Sequence, residues 1–281
     1  MPALSLIVCL HGEREFLHRL LKKSQGCYDE LIVIHDGPDS FGIRELVEQF
    51  HGRFFERPRA LQQEPHLPFA FAQATHDWIL HFDADEFPSD ELKDWLGHFR
   101  TTTSPGTSIS GYTCIWPLWN GRREISKKYA RGRIFIFDRR QVRFLGMVEQ
   151  AMVPDGRFEP LDFILCHQPK RKSYGLHNIL VRKQAYRWRA VIAQSLLGKP
   201  ADLSCWRWES EQWPEDWEEI RRSPWRAAFS RLTLGTYRSL RDQWRTEKRF
   251  YPLIALNGPI HHALICLKFW QVRRQHLRKL K

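Results

Sequence analysis

The sequence predicts an α/β fold in which helices cover both faces of a mostly parallel sheet, followed by a helical extension at the C-terminus. Apolar runs of strand length alternate with amphipathic helical stretches over the first hundred residues. The runs are continuously apolar, which is typical of strands buried on both faces. Beyond about residue 170 the chain reads as helical and becomes rich in Trp and Arg. We therefore predict a domain at residues 1–170 and an extension at residues 171–281 that faces a membrane or an acceptor.

The elements follow one another in a regular order. Predicted strands lie at residues 4–10, 31–35, 54–55 and 78–82, and predicted helices at residues 13–23, 43–50 and 69–75. Ser89 is placed to cap a fourth helix. Further strands are predicted at residues 109–116, 133–137, 142–145 and 163–167, and a long helix at residues 175–197.

Composition excludes several classes of protein. The 281 residues are 42% hydrophobic and 27% charged, as in ordinary globular chains, so fibrous and disordered classes are excluded. No apolar run approaches the roughly 20 residues of a membrane-spanning helix, and the N-terminus has no secretory signal pattern. We expect a cytoplasmic location. The six cysteines form no C-x-x-C pair, and we expect them to be reduced and mostly buried.

Positive charge is concentrated near the C-terminus. Residues 248–281 carry +8 of the net charge of +12, and six of the twelve tryptophans lie between Trp206 and Trp244. A basic segment with interspersed Trp, Leu and Ile is typical of a surface that lies on an anionic membrane. A merely solvated terminus and a nucleic-acid-binding segment are the alternatives. Because no nucleic-acid motif is present, we expect no nucleic-acid partner.

Carboxylates follow two of the predicted strands. Asp36 comes after the strand at residues 31–35, and Asp83 and Asp85 come after the strand at residues 78–82. Ligands of such sheets bind at the carboxyl ends of the strands. Two carboxylates in a D-x-D pattern can hold a divalent cation together with substrate phosphates, and the cation can neutralise a departing diphosphate. Taken alone, D-x-D also occurs in surface loops, and an Asp-Gly pair often only shapes a turn.

Several segments in combination resemble a known family. They are LSLIVCLHGEREFLHRLL, LIVIHDGPDS and QATHDWILHFDADEF, continued by RGRIFIFDRR, VRFLGMVEQ and DFILCH. Their order and spacing resemble the inverting family-two glycosyltransferases, in particular the lipopolysaccharide core β-glucosyltransferase subgroup, over about residues 4–170. The resemblance implies a nucleotide-sugar-binding, Rossmann-like fold of GT-A type. It also implies sugar transfer from a nucleotide donor, a UDP-sugar first of all, to a saccharide or glycolipid acceptor in cell-surface glycan or lipopolysaccharide synthesis. The location implied is the inner face of the cytoplasmic membrane.

The resemblance also implies roles for the carboxylates. Asp36 contacts the uridine, and Asp83 and Asp85 place Mg²⁺ or Mn²⁺ on the diphosphate, with Asp83 counted among the donor-binding residues. Glu149 is the candidate base that deprotonates the acceptor hydroxyl. Read without the resemblance, Glu149 is equally a surface ion-pair partner.

Three further residues have roles implied in the same way. His167 completes the metal coordination or binds the diphosphate, and its imidazole favours Mn²⁺ over Mg²⁺. Arg131 and Arg133 are candidates for contacting the diphosphate or an anionic acceptor. A histidine after a strand is also frequently structural, so that alternative stays open for His167.

The chain departs from the family pattern in three places. Residues 9–12 read Cys-Leu-His-Gly where relatives often carry Thr-x-Asn-Glu, His35 precedes Asp36, and Leu67-Pro68 stands where Arg-Asn is common. These departures predict an altered nucleoside pocket. Two rival functions are a sugar nucleotidyltransferase, which normally has a glycine-rich basic loop that this N-terminus lacks, and a non-catalytic membrane or nucleic-acid adaptor that keeps the fold.

Overall fold

The structure is a computed structural model that describes residues 2–60, 62–101, 108–126, 131–144, 146, 152–169, 193 and 215–279. Contacts divide the chain into two compact units, Met1–Ser173 and Tyr174–Lys281, which are described separately. The long helix predicted at residues 175–197 lies outside the described residues, apart from the helical position 193.

Strands and helices alternate through the first unit. The strands are β1 (Leu4–Leu10), β2 (Glu30–Asp36), β3 (Arg53–Arg57), β4 (Trp78–His81), β5 (Glu86–Pro88), β6 (Ile109–Ile115), β7 (Leu118–Trp119), β8 (Glu124–Ser126), β9 (Arg131–Asp138), β10 (Val142–Arg143), β11 (Val153–Pro154) and β12 (Arg157–His167). The helices are α1 (Arg14–Lys23), α2 (Ile43–Gln49), α3 (Leu67–Gln73), which follows a 3₁₀ turn at Glu64–His66, and α4 (Asp90–Thr101). As predicted, the Ser89 hydroxyl caps α4 by accepting a hydrogen bond from the Leu92 N–H at 3.3 Å.

Eight of these strands form one sheet in the order β3-β2-β1-β4-β9-β6-β12-β5. The first four are parallel, and β6 pairs with β12 in parallel as well. Strand β9 runs antiparallel between β4 and β6, and β5 runs antiparallel at the edge beside β12. The predicted α/β fold with a mostly parallel sheet is confirmed, and the sheet carries these two antiparallel strands in addition.

Both faces of the sheet are covered by apolar side chains. All seven residues of β1 are buried. Leu6 and Val8 belong to a core that includes Leu17 of α1, while Ile7 and Cys9 belong to a second core that includes Phe71 of α3. Successive side chains of a strand point to opposite faces, so a strand with a core on each side is continuously apolar. This arrangement brings the carboxyl ends of β1, β2 and β4 to one edge.

The second unit is helical where it is described. It contains α5 (Glu215–Arg222), α6 (Pro224–Ser230), a π-helical segment (Arg231–Gly235), α7 (Thr236–Glu247) and α8 (Pro252–Lys279). Gln243 links α7 to the start of α8, because its amide accepts from the Tyr251 N–H at 2.6 Å and donates to the Tyr251 carbonyl at 3.2 Å. No helix in the described part of the chain is long and apolar enough to span a bilayer.

Cysteines are free thiols wherever the structure describes them. Cys9, Cys27, Cys114 and Cys266 are buried and Cys166 is half-buried. Cys205 lies outside the described residues.

Candidate functional site

Polar side chains converge where the parallel strands end. They follow β1, end β2 or follow β4, or belong to β9 and β12 of the same sheet, and the set is His11, Asp36, Asp83, Asp85, Arg133 and His167. Both faces of the sheet are covered by core, so this edge is where functional side chains can reach a ligand.

Asp36 ends β2 and is only 5% exposed. One carboxylate oxygen accepts hydrogen bonds from the Ala60 N–H and from His66 Nε2, the latter at 2.9 Å, and the other accepts from the Arg59 guanidinium at 2.8 Å. Burial acts to raise the pKa of Asp36, but the His66 and Ala60 hydrogen bonds and the Arg59 charge outweigh it and hold the pKa below its usual value. Asp36 therefore lies at the predicted edge, where it binds Arg59, Ala60 and His66.

His66 is held in one tautomer by its two neighbours. Its Nδ1 accepts from Arg57 Nε at 3.2 Å, so the proton is on Nε2, which donates to Asp36. Arg57 thus holds the His66 ring in the orientation in which it donates to Asp36. The sequence offered no periodicity or motif that could single out Arg57, Arg59 or His66.

An aromatic cluster lies beside the ends of β1 and β2. The His11 ring lies 5.3 Å from the His35 ring and 5.4 Å from the Phe41 ring, measured between centroids. His11 Nδ1 donates to the Asp36 carbonyl at 2.8 Å. Burial and the nearby Arg59 charge lower the pKa of His11, so the ring is neutral at pH 7. Gly12 has φ +77°, and a Cβ there would lie 2.8 Å from the Phe41 ring, so the close approach requires glycine.

Asp83 lies just beyond β4 in a network of charged groups. Its Oδ1 accepts from Gln63 Nε2 at 2.8 Å and from Arg133 Nη2 at 3.3 Å. Burial acts to raise the pKa of Asp83, but the charge of Arg133 keeps it below its usual value. His81, also buried, has its pKa lowered to about 3 by burial and by Arg133, so it is neutral. The positive charge beside Asp83 therefore comes from Arg133, the candidate for contacting the diphosphate or an anionic acceptor.

Glu86 holds Arg133 in this position. The fully buried Glu86 carboxylate accepts from Arg133 Nε at 3.0 Å and Nη2 at 2.9 Å, and from the Asp83 N–H at 2.7 Å. Burial raises the pKa of Glu86 despite the Arg133 charge. Sequence analysis missed Glu86 because it directly follows the D-x-D segment, where a charged residue is expected in a solvent-exposed turn.

Asp85 directly precedes β5, and His167 ends β12, the strand that pairs with β5. His167 Nε2 lies 3.6 Å from Asp85 Oδ2, and the His167 ring stacks on Trp116 with centroids 4.1 Å apart. The Asp85 side chain is 25% exposed, which leaves it accessible to a ligand. Two ligands about 2.1 Å from one ion can be up to about 4.2 Å apart, so this oxygen and nitrogen fit a shared divalent cation.

These residues would supply only part of a coordination sphere. Among the described residues, no three His, Cys, Asp or Glu side chains converge closely enough to hold a metal ion. Divalent cations at phosphate-transfer sites typically complete their coordination with water and substrate phosphates, so a partial set suits a metal that binds with its substrate. The structure brings Asp85 and His167 together, whereas Asp83 faces Arg133.

Two sequence-predicted residues cannot be placed in this site. Glu149 lies outside the described residues, and Arg131 begins β9 but its side chain is outside them as well.

The chain matches the family model described as glycosyl transferase family 2 over residues 5–148, just over half of its length. No curated protein matches it. Among solved structures it is similar to mannosyltransferase PcManGT from Pyrobaculum calidifontis in complex with GDP-Man and Mn²⁺, at 12% identity over 96% of this chain and 87% of that chain, with a TM-score of 0.46. TarS from S. aureus matches at 12% identity over 94% of this chain and 55% of that chain, TM-score 0.40. TarS 1-349 in complex with UDP matches at 13% identity over 97% and 92%, TM-score 0.37.

Proposed function

Because the chain belongs to glycosyl transferase family 2, we propose that it is a metal-dependent inverting glycosyltransferase that uses a nucleoside diphosphate sugar. The observation that carries the metal dependence is the pairing of Asp85, just before β5, with His167 at the end of β12, 3.6 Å apart. A UDP-sugar is the first donor to test, and Mn²⁺ the first metal, because an imidazole ligand favours Mn²⁺ over Mg²⁺.

Two guanidinium groups lie at the site, and each is paired with a carboxylate. The Arg133 guanidinium is held by Glu86 and reaches Asp83. Arg59 lies at the Asp36 turn, with its side chain 30% exposed. Asp85 and His167 would hold the metal, which when bound supplies charge neutralisation for the departing nucleoside diphosphate. The neutral His11 and Phe41 rings offer an apolar wall for the nucleoside beside Asp36.

Inversion requires one direct displacement at the anomeric carbon. A carboxylate removes the proton from the acceptor hydroxyl as the acceptor oxygen attacks, and the nucleoside diphosphate leaves from the opposite face. We assign this base to Glu149. The assignment rests on its sequence segment alone.

The acceptor we propose is a saccharide carried on a membrane lipid, as in cell-surface glycan or lipopolysaccharide synthesis at the inner face of the cytoplasmic membrane. Support comes from the basic end of α8, where Arg273, Arg274 and Arg278 are exposed. Exposed cations of this kind are attracted to anionic lipid headgroups.

The test uses the purified full chain, a panel of nucleotide sugars, and Mn²⁺ or a chelator. We expect one donor to be hydrolysed slowly in a Mn²⁺-dependent reaction that releases the sugar with inverted anomeric configuration, read by NMR. Asp85→Asn should lower this rate at least about 100-fold, while Asp94→Asn, at an exposed position on α4, should leave it unchanged. Full activity of Asp85→Asn, or retained configuration, would overturn the proposal.

A further inference from the structure

Large aromatic side chains are exposed along one helical rod of the second unit. The rod consists of α6, the π-helical segment and α7, and the exposed fractions are 54% for Trp225, 70% for Phe229, 63% for Tyr237 and 49% for Trp244. Single exposed apolar residues are common, whereas a contiguous group of large ones marks an interaction surface.

The π-helical segment aligns these four residues. On an uninterrupted α-helix, at about 100° per residue, Tyr237 would lie about 120° and Trp244 about 100° around the axis from Trp225. A π-helical turn adds one residue to the helix and so removes about 100° from each difference. Tyr237 then lies about 20° from Trp225, Trp244 about 0° and Phe229 about 40°. We call these four residues the aromatic stripe.

Arginines form a row beside the aromatic stripe. Arg226, Arg238, Arg241 and Arg245 are all exposed. The same arithmetic places them about 60–120° from Trp225, all on one side of it. Behind the stripe, Lys248 lies over the Trp244 ring at 5.9 Å, and the Phe250 ring stacks on Trp244 at 5.2 Å.

The opposite side of the rod is the packed side. Ala227, Ala228 and Gln243 are buried there, and α8 packs against this rod. In α8 itself Phe269 is 2% exposed, and the Trp270 ring packs edge-to-face on Trp225 at 5.2 Å. Much of the apolar surface that the sequence assigned to a membrane-bound tail is therefore used in packing, and the exposed aromatic surface lies on α6 and α7.

We propose that the aromatic stripe lies on an anionic bilayer, with its rings at the membrane–water interface and the arginine row on the lipid headgroups. This inference deepens the membrane part of the proposed function and rests on it. Aromatic rings prefer the interfacial layer. The stripe extends about 27 Å from Trp225 to Trp244, so a rod lying in the plane of the membrane would present all of it to that layer. A second copy of the chain is disfavoured as the occupant, because its arginine row would meet a row of the same charge.

The test measures co-sedimentation of the full chain with vesicles of phosphatidylcholine containing about 30% phosphatidylglycerol, and with vesicles of phosphatidylcholine alone. We expect binding to the anionic vesicles, weakened at least about ten-fold in Phe229→Ser/Tyr237→Ser. Val153→Ser, at an exposed valine of β11 in the first unit, should alter binding less than about two-fold. Arg238→Gln/Arg245→Gln should weaken binding and flatten its salt dependence.

Two controls separate this inference from the function itself. Donor hydrolysis without vesicles and the melting temperature without lipid should be the same in Phe229→Ser/Tyr237→Ser as in the wild type, so a failure of catalysis cannot imitate a failure of docking. Absent binding of the wild type to anionic vesicles, or equal binding of wild type and Phe229→Ser/Tyr237→Ser, would overturn the proposal. A wild-type dimer in sedimentation velocity that dissociates in that variant would also overturn it, by assigning the stripe to a second copy.

Discussion

Glu86 and Arg133 form a buried ion pair whose disruption has a predictable cost. Replacing Glu86 with Ala removes the acceptor for two guanidinium hydrogen bonds, at 2.9 and 3.0 Å, and for the Asp83 N–H at 2.7 Å. Breaking a buried pair by removing one partner costs about 3–5 kcal/mol. Because Arg133 keeps its 3.3 Å contact with Asp83, we expect the lower end, about 3 kcal/mol, or roughly a 150-fold change in the folding equilibrium.

Removing Arg133 instead should have a cost that depends on pH. The pKa of Glu86 is already raised by burial, and Arg133→Met raises it further because the stabilising charge is gone. A group with a raised pKa in the folded state favours folding below its unfolded pKa and loses that contribution as pH rises through the folded value. Arg133→Met should therefore be more destabilising at pH 8 than at pH 5.

Unfolding in guanidinium chloride of Glu86→Ala, Arg133→Met and the double variant measures these changes in the free energy of unfolding. We expect a coupling energy of at least about 2 kcal/mol between Glu86 and Arg133. Asp155→Ala, at an exposed pair with Arg143 that is 3.5 Å apart, should cost less than about 1 kcal/mol. A cost below about 1 kcal/mol for Glu86→Ala, or strictly additive single changes, would refute the buried-pair reasoning.

Three further predictions test other parts of the structure. The pKa of Asp36 is lowered in the folded state, so as pH falls the Asp36 carboxylate is protonated in the unfolded chain before it is protonated in the folded chain. The loss of stability in Asp36→Asn, read by thermal denaturation, should therefore shrink from pH 7 to pH 3. A loss that grows over this range would contradict the hydrogen bonds assigned to Asp36. His167→Ala should raise the Mn²⁺ concentration for half-maximal activity at least about ten-fold and the Mg²⁺ concentration less, and equal shifts in the two titrations would argue against imidazole as a ligand. Gly111→Ala places a Cβ 2.4 Å from the Ile136 carbonyl and should lower the free energy of unfolding by at least about 2 kcal/mol. Gly97→Ala in α4 meets nothing within 4 Å and should raise it by about 1 kcal/mol. Melting temperatures that change in the same direction in both variants would contradict the close β6–β9 contact.

Local sequence patterns predicted the structure correctly where it depends on residues that are close together in the chain. The continuous apolar run at Leu4–Leu10 forms a strand with the predicted bounds, and Asp83 and Asp85 follow β4 as predicted. The antiparallel course of β9 was not predictable in this way, because it depends on pairing between segments more than 50 residues apart. Such pairings leave no periodic pattern in a single chain.

The parts of the site that sequence analysis missed depend on tertiary contacts between residues that are far apart in the chain. Arg59 lies in a loop and His66 in a 3₁₀ turn, neither of which has a periodic sequence pattern, and their role is visible only from their contacts with Asp36. The π-helical segment was missed as well, because the amphipathic pattern expected of an α-helix assumes about 100° per residue throughout.

The central claim is that Asp85 and His167 hold a divalent metal together with a nucleoside diphosphate. Electron paramagnetic resonance of Mn²⁺, titrated into the full chain with and without UDP, tests it most directly. We predict that UDP strengthens Mn²⁺ binding in the wild type and in Asp94→Asn, and that Asp85→Asn abolishes this effect. Equal UDP-dependent Mn²⁺ binding by wild type and Asp85→Asn would contradict the claim.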